Sequence, residues 1–326
     1  MTGTWDEVHV VRLPLRVRFR GLLEREALLL RGPTGWGEFS PFVEYDDAES
    51  ARWLAAAVEA ATAPPPTAVR ALIPVNATVP AVPAAEVGDV LARFAGCTTA
   101  KVKVGEPWQS LADDVARVAE VRVALGSVGR IRVDANGAWD VDQALRALTA
   151  LAPYGLEYAE QPCATLDDLG RLRVALARAR VDVLVAADES IRKADDPLKV
   201  AAAGSADVVV LKVAPLGGVR TALRVAEQCG LPVVVSSALD TSVGIAAGVA
   251  LAAALPELPY ACGLGTAALF ARDVVDPPLQ PTGGGIEVAR ALATSPDPGR
   301  LADLAAPADR QRWWRDRLER CAALLP

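Results

Sequence analysis

The chain has 326 residues, a formal net charge of −6 and a pI near 5.1, which speaks against a nucleic-acid scaffold and against attraction to anionic membranes. Hydrophobic residues make up 52% and charged residues 23%, a composition that excludes a disordered chain and can fill a large core. The longest uninterrupted apolar run, Val243 to Leu255, has 13 residues, short of the about 20 that cross a bilayer.

The first residues, MTGTWDEVHV, carry no basic-then-apolar leader, so a cytoplasmic protein is expected. Residues 7–30 alternate as antiparallel strands do, with a turn near Arg20-Gly21, and GPTGWGE continues into another strand. Asp46 to Ala63 reads as a helix with acidic residues in its first turn, ending at Pro64-Pro65-Pro66. Residues 1–70 therefore form a small α+β unit.

Beyond the prolines, eight short apolar runs recur, each followed by a helical pattern: 72–79, 99–105, 129–136, 156–162, 181–190, 206–215, 231–240 and 258–265. Strands alternating with helices at this period form a parallel sheet with crossover helices. Eight such units close into a (β/α)8-type, TIM-like barrel over residues 71–282; an open doubly wound sheet is the other solution. The tail, residues 283–326, reads as a helix or two whose apolar side, with Trp313, Trp314 and Leu318, packs back on the N-terminal unit.

Two scarcities narrow the chemistry. The single histidine, His9, lies on a strand near the N-terminus, so a histidine-based triad, metal site or proton shuttle has almost nothing to rest on. The five scattered cysteines form no CxxC pair and read as reduced thiols, Cys163 among them. Only five lysines, Lys101, Lys103, Lys193, Lys199 and Lys212, stand against 29 arginines.

In a parallel barrel, chemistry sits at the carboxyl ends of the strands. Three consecutive runs end there in a carboxylate: Asp134, Glu160 and Asp188. Any one of them could be a solvated loop acid or a helix cap. Three on neighbouring strands should converge, and three ionised carboxylates share a small volume only around a cation. An all-oxygen set suits a hard divalent ion, Mg2+ first and Mn2+ second. Lys101 and Lys103, two apart on one strand, point to the same side, with Val102 and Val104 facing the helices. Mutual repulsion should lower the pKa of at least one lysine enough to make it a base. Lys212 reaches in from the sixth run, while Lys193 and Lys199 read as surface charge. A dication flanked by amines suits removal of the proton α to a carboxylate, the enediolate being stabilised by the ion and the second amine. A metal-free Schiff-base enzyme using Lys103 or Lys212, or a non-catalytic binding barrel, leaves the three carboxylates unexplained.

The motifs KVK (101–103), VDAN (133–136), EYAEQP (157–162), ADES (187–190) and LKVAPLGG (211–218) together resemble the muconate-cycloisomerase-like subgroup of the enolase superfamily across nearly the whole chain. The resemblance implies a capping domain over residues 1–70, joined by segment 283–326, on a modified barrel. It implies metal ligands Asp134, Glu160 and Asp188, acid/base Lys103 tuned by Lys101, and Lys212 on the opposite face. SSALDTSVG (236–244), the compact N-terminal unit and FSPFVEYD (39–46) are similar to the o-succinylbenzoate synthase family of menaquinone biosynthesis. That implies syn dehydration of 2-succinyl-6-hydroxy-2,4-cyclohexadiene-1-carboxylate to 2-succinylbenzoate. N-acylamino acid racemisation and muconate cycloisomerisation use the same lysine pair and stay open. Dipeptide epimerases carry an acidic pair at the eighth strand, where this chain has Cys262-Gly263-Leu264-Gly265.

Among polar strand-end residues, Asn136, Ser236 and Ser237 are expected to meet a small-molecule carboxylate substrate; the serines could equally be ordinary rim residues. Phe39, Phe42 and Tyr45 are candidates for either a lid or the core of the α+β unit. Gly217-Gly218 reads as a tight turn, and Gly283-Gly284-Gly285 as the exit from the barrel. Nothing in the sequence fixes an oligomeric state.

Overall fold

The computed structural model describes residues 5–191 and 196–325. Strands β1 (Glu7–Phe19), β2 (Leu22–Gly32) and β3 (Gly35–Phe39) form an antiparallel sheet in that order, with the β1–β2 turn at Arg20-Gly21. Leu28, Leu29 and Leu30 are all fully buried because both faces of this sheet are covered. Val10, Leu28, Leu30 and Phe39 pack with Trp53 and Leu54 of helix α1 (Asp47–Thr62), while Val11, Leu13 and Leu29 join the barrel core. Asp46 caps α1 by accepting from the Glu49 amide, and the helix stops at Ala63, before Pro64. Gly37 lets α1 lie directly on β3, since a Cβ there would collide with the Ala57 carbonyl.

The C-terminal helix Ala308–Ala322 packs against α1, burying Trp314 edge-on to Phe39 at 5.7 Å between ring centroids. Trp314 Nε1 donates to Glu26 Oε2 at 2.8 Å, and the buried Arg317 donates to the Phe42 carbonyl and Ser50 Oγ.

The barrel strands are β5 (Ala77–Val79), β6 (Thr99–Lys103), β7 (Arg130–Asp134), β8 (Leu156–Glu160), β9 (Val185–Ala187), β10 (Val208–Leu211) and β11 (Val233–Val235), parallel and adjacent in chain order. Both ends of the eight-run pattern differ from expectation. Run 72–79 splits: β4 (Leu72–Pro74) pairs antiparallel with β12 (Gly285–Glu287), and only β5 enters the barrel. Run 258–265 makes no strand. Cys262 and Gly263 alone fill the eighth position, bridging Val75 on one side and Ser236 on the other. Four backbone hydrogen bonds, Asn76 N to Cys262 O, Cys262 N to Pro74 O, Gly263 N to Val235 O and Ser237 N to Gly263 O, close the ring. Any side chain at Gly263 would strike Ser236 Oγ, which is why so short a stave carries glycine.

Helices Leu111–Leu125, Val141–Leu151, Leu166–Ala179 and Val219–Cys229 follow β6, β7, β8 and β10. The first two begin with capping boxes, Ser110/Asp113 and Asp140/Gln143. Helix Ser242–Ala254 is apolar around most of its surface because it is buried between barrel, β3 and the helix Val288–Leu292. No described helix is long and apolar enough to cross a membrane. All five cysteines are unpaired.

Candidate active site

Strand register brings the chemistry together. Lys103 lies opposite Asp134 and Asp134 opposite Glu160, while Glu160 pairs with Ala186, two residues before Asp188. Neighbouring parallel strands are about 4.8 Å apart, so Lys103, Asp134 and Glu160 line up across three staves at the carboxyl end. Lys212 follows β10, on the far side of β9, so the lysines of β6 and Lys212 flank the acids from opposite sides. Val102 and Val104 turn outward into the helix-facing core, as the alternation requires.

The three carboxylates do not meet at one point; each faces an ammonium. Lys103 Nζ donates to Asp134 Oδ2 at 2.5 Å and Asn136 Oδ1 at 2.6 Å. Lys101 Nζ donates to Glu160 Oε1 at 2.6 Å and lies 3.4 Å from Asp134 Oδ2. Lys212 Nζ donates to Asp188 Oδ2 at 2.5 Å. Among the described residues no three acidic, His or Cys side chains are gathered as a ligand set. The flexible lysine heads neutralise the three buried acids. The donor chemistry still fits a hard divalent ion: three nearly fully buried carboxylates on adjacent staves. Burial, with Asp134 and Asp188 nearby, pushes Glu160 up to about 7.

The two lysines of β6 behave differently, though for another reason than simple repulsion. Burial lowers the Lys103 pKa and outweighs the pull of Asp134; the Lys101 charge adds to the lowering. Burial acts on Lys101 too, but Glu160 and Asp134 hold it above its ordinary value. Asp134 is held well below the usual carboxylate range because Lys103 and Lys101 outweigh its burial.

Ser236 and Ser237 reach the same cleft, which Lys101, Lys103, Asp134 and Lys212 also line. Ser237 Oγ is engaged by the Gly263 carbonyl and Thr266 Oγ1, whereas among the described residues no side-chain bond ties Ser236 Oγ. Asn136 donates to Glu189 Oε1 at 2.9 Å while accepting from Lys103. Lys199 is exposed on the helix Asp196–Ala203, and Lys193 lies outside the described residues.

Several site residues were given no role by the reading of the sequence. Gln161 Oε1 accepts from the backbone amides of Asp188 and Ser190, and its Nε2 donates to Cys163 O and Ser190 Oγ; its place in EQP was the available signal. Phe19 and Arg20, at the β1–β2 turn, line the cleft, with the Phe19 ring centroid 5.2 Å from Lys103 Nζ. The aromatics Phe39, Phe42 and Tyr45 lie instead in the core around Trp53 and Trp314. A turn and its flanking residues are visible in sequence, but which turn overhangs the barrel is not. His9 is half-buried, hydrogen-bonded to Glu7 and tilted on Trp36, away from the cleft.

An α+β cap over a parallel barrel with these strand-end groups is an enzyme architecture of one class. Residues 84–299 match the enolase C-terminal domain-like family and residues 10–61 the enolase N-terminal domain-like family. The chain belongs to the enolase superfamily. It is 59% identical over 321 residues to the o-succinylbenzoate synthase of Mycolicibacterium smegmatis, covering 98% of this chain and 96% of that protein. To the o-succinylbenzoate synthase of Mycobacterium tuberculosis it is 57% identical, over 98% and 95% of the two chains. The fold resembles muconate lactonizing enzyme from Pseudomonas putida (TM-score 0.75, 21% identity, 93% of this chain and 100% of that one). It also resembles the N-succinyl Arg/Lys racemase from Bacillus cereus (TM-score 0.74, 18% identity, 92% and 97%). At such identities the structural likeness speaks for the fold alone.

Proposed function

We propose that the chain dehydrates 2-succinyl-6-hydroxy-2,4-cyclohexadiene-1-carboxylate to 2-succinylbenzoate, the o-succinylbenzoate synthase reaction of menaquinone biosynthesis. The observation that carries this is the pairing of Lys103 and Lys212 on opposite flanks of Asp134, Glu160 and Asp188, in a chain 59% identical to an enzyme of that name. Asp134, Glu160 and Asp188 would hold a divalent cation, Mg2+ or Mn2+ by the hardness of the oxygen donors. Such an ion supplies positive charge beside the substrate carboxylate, without which the α-proton is too weakly acidic for an amine.

Lys103, with its lowered pKa, takes the proton from the α-carbon. The C–H electron pair moves into the carboxylate as an enediolate, and the Lys212 ammonium faces that charge from the other flank. The electrons then return, the ring C–O bond breaks, and Lys103 delivers its proton to the departing hydroxyl on the same face. Water leaves and the ring becomes aromatic. Asn136 holds the Lys103 head by accepting from it, and Lys101 holds Glu160. Ser236 and Ser237, which line the cleft, would meet the substrate oxygens.

The test offers purified protein with Mg2+ the cyclohexadiene carboxylate, and repeats the assay in EDTA and with Mn2+ restored. Dehydration that EDTA stops and metal restores is expected; no dehydration sinks the reading. Amines on both flanks equally serve 1,1-proton transfer, so a panel of N-succinyl amino acids belongs in the same assay. Racemisation without dehydration would make N-acylamino acid racemase the better description. Capture by borohydride in the presence of substrate would instead favour a Schiff base.

A further inference from the structure

The seam between cap and barrel buries a second group of charges that the chemistry above does not use. Glu38, on β3 of the cap, and Asp240, just beyond β11 of the barrel, are respectively 7% and 9% exposed. A Cβ built at Gly244 would lie 2.7 Å from Asp240 Cβ and 2.9 Å from Glu38 Oε2, and both acids line one small cavity, so the two side chains converge on one glycine.

Their hydrogen-bonding is lopsided. Glu38 accepts from Ser40 Oγ at 2.7 Å, Thr241 Oγ1 at 2.6 Å, and the amides of Thr241 and Gly244 at the start of helix Ser242–Ala254. Those donors favour its anion. Asp240 Oδ2 accepts from the Ala238 amide, but Oδ1 is buried and receives no hydrogen bond from any described residue. A buried carboxylate oxygen without a donor is costly.

The local charge does not balance either. Arg25, buried on β2, is the nearest cation, but its guanidinium donates to the carbonyls of Leu239 and Ser40, not to either acid. Arg20 and Tyr45 on the cap side and Lys212 on the barrel side face the group from farther off. Two carboxylates against one close guanidinium leave one negative charge unmatched in a buried seam. Burial pushes Glu38 up to about 7, with the Asp240 charge adding to the rise, and burial raises Asp240 as well.

We propose that Glu38 and Asp240 share one proton, and that this carboxyl–carboxylate pair positions the cleft-lining segment Ser236–Leu239 under the cap. The proton sits on Asp240 Oδ1, the oxygen lacking a donor, and Glu38 is the anion of the pair. The segment needs such a hold. Leu239 has φ +63, the left-handed region that a leucine disfavours, and its carbonyl is tied to Arg25. Ser236, Ser237 and Leu239 all line the catalytic cleft, so cap seating and cleft shape run through one pair of acids. Glu38 and Asp240 are positioning residues: Asp240 Oδ2 accepts from the Ala238 amide, and neither acid lines the catalytic cleft.

The sign follows from linkage. Acids whose folded pKa is raised stabilise the fold least when ionised, so this contribution weakens as pH rises from the ordinary carboxylate range through about 7. In Asp240→Asn the amide donates to Glu38 at every pH. The Mg2+-supplied wild type and D240N are compared by melting temperature between about pH 5.5 and about pH 8.5. Wild type should lose stability relative to D240N as pH rises, and fall below it at the alkaline end. The infrared carbonyl band of a protonated acid should be present in wild type at pH 7 and missing in D240N. A Tm difference independent of pH, or no such band, overturns the shared proton, as does stabilisation by K+ or Na+ that replaces the acid dependence. If D240N fails to accumulate, Glu38→Gln gives the same comparison. These arms stand whatever the substrate. The kinetic arm rests on the proposed activity: KM should rise with pH in wild type and stay flatter in D240N, and parallel courses overturn the positioning role.

Discussion

Gln161 holds Asp188 by its backbone: the Gln161 Oε1 atom accepts from the Asp188 amide at 2.8 Å. One side chain at the end of β8 thereby fixes where the chain leaves β9, and so where the Asp188 carboxylate stands relative to Glu160. Gln161 itself adopts φ +39, a left-handed turn that swings its side chain under the next strand instead of into the cleft.

Replacing Gln161 by Leu keeps the volume but leaves the Asp188 and Ser190 amides without their acceptor. Groups that orient metal ligands typically carry about 10–100-fold in metal affinity or activity. Calorimetric titration with Mg2+ should show a loss of that size, smaller than the loss in Asp134→Asn. Wild-type Mg2+ affinity in either variant would count against the assignment of the acids as ligands.

Lys103→Ala and Lys212→Ala should each lower turnover by about 10²–10⁴-fold or more, with circular dichroism unchanged. The distinguishing measurement is exchange of the substrate α-hydrogen with deuterium in solvent. Lys103→Ala should abolish exchange, because the base is gone. Lys212→Ala should slow it, because the enediolate loses a cation. Near-normal turnover in either variant refutes the roles given to them.

The C-terminal helix is held through Glu26. Burial raises the pKa of this carboxyl, but hydrogen bonds from Arg310 and Trp314 outweigh burial and hold it below its ordinary value. A depressed carboxylate stabilises the fold above its unfolded pKa, and that contribution disappears as pH falls through the lower folded value. Acidification below about pH 4 should therefore release the helix first, reported by Trp313 and Trp314 fluorescence. Glu26→Gln should lose about 1.5–3 kcal/mol at neutral pH and show a weaker acid transition. An unchanged acid transition would mean another group controls it.

Gly263→Ala probes the shortened eighth stave. Its methyl group would press on Ser236 Oγ, and such overpacking costs about 1–3 kcal/mol. Since Ser236 lines the cleft, KM should rise along with the drop in Tm. A lower Tm with unaltered KM would remove Ser236 from the substrate contacts.

The order of strands, the helix α1 with its acidic first turn, and the placing of acids and lysines at strand ends were legible because they follow from local rules. Strand periodicity is two, so Lys101 and Lys103 had to share a face; parallel strands in chain order had to put Asp134, Glu160 and Asp188 side by side. The triple leucine of β2 hid its meaning, since alternation disappears when both faces of a sheet are covered. The last apolar run read as a strand because composition cannot show that two residues suffice to bridge the gap between Val75 and Ser236.

Sequence alone thus determined the inventory and its order: which charged groups exist, on which staves, on which side of each stave. Tertiary structure alone decided which groups touch. It set Lys101 against Glu160 and Lys103 against Asp134, brought the Phe19–Arg20 turn over the barrel, and pressed Glu38 of the cap onto Asp240. Those pairings join residues as many as 202 positions apart, and only the packing of cap on barrel, driven by burial of both faces of the β1–β2–β3 sheet, brings them within reach.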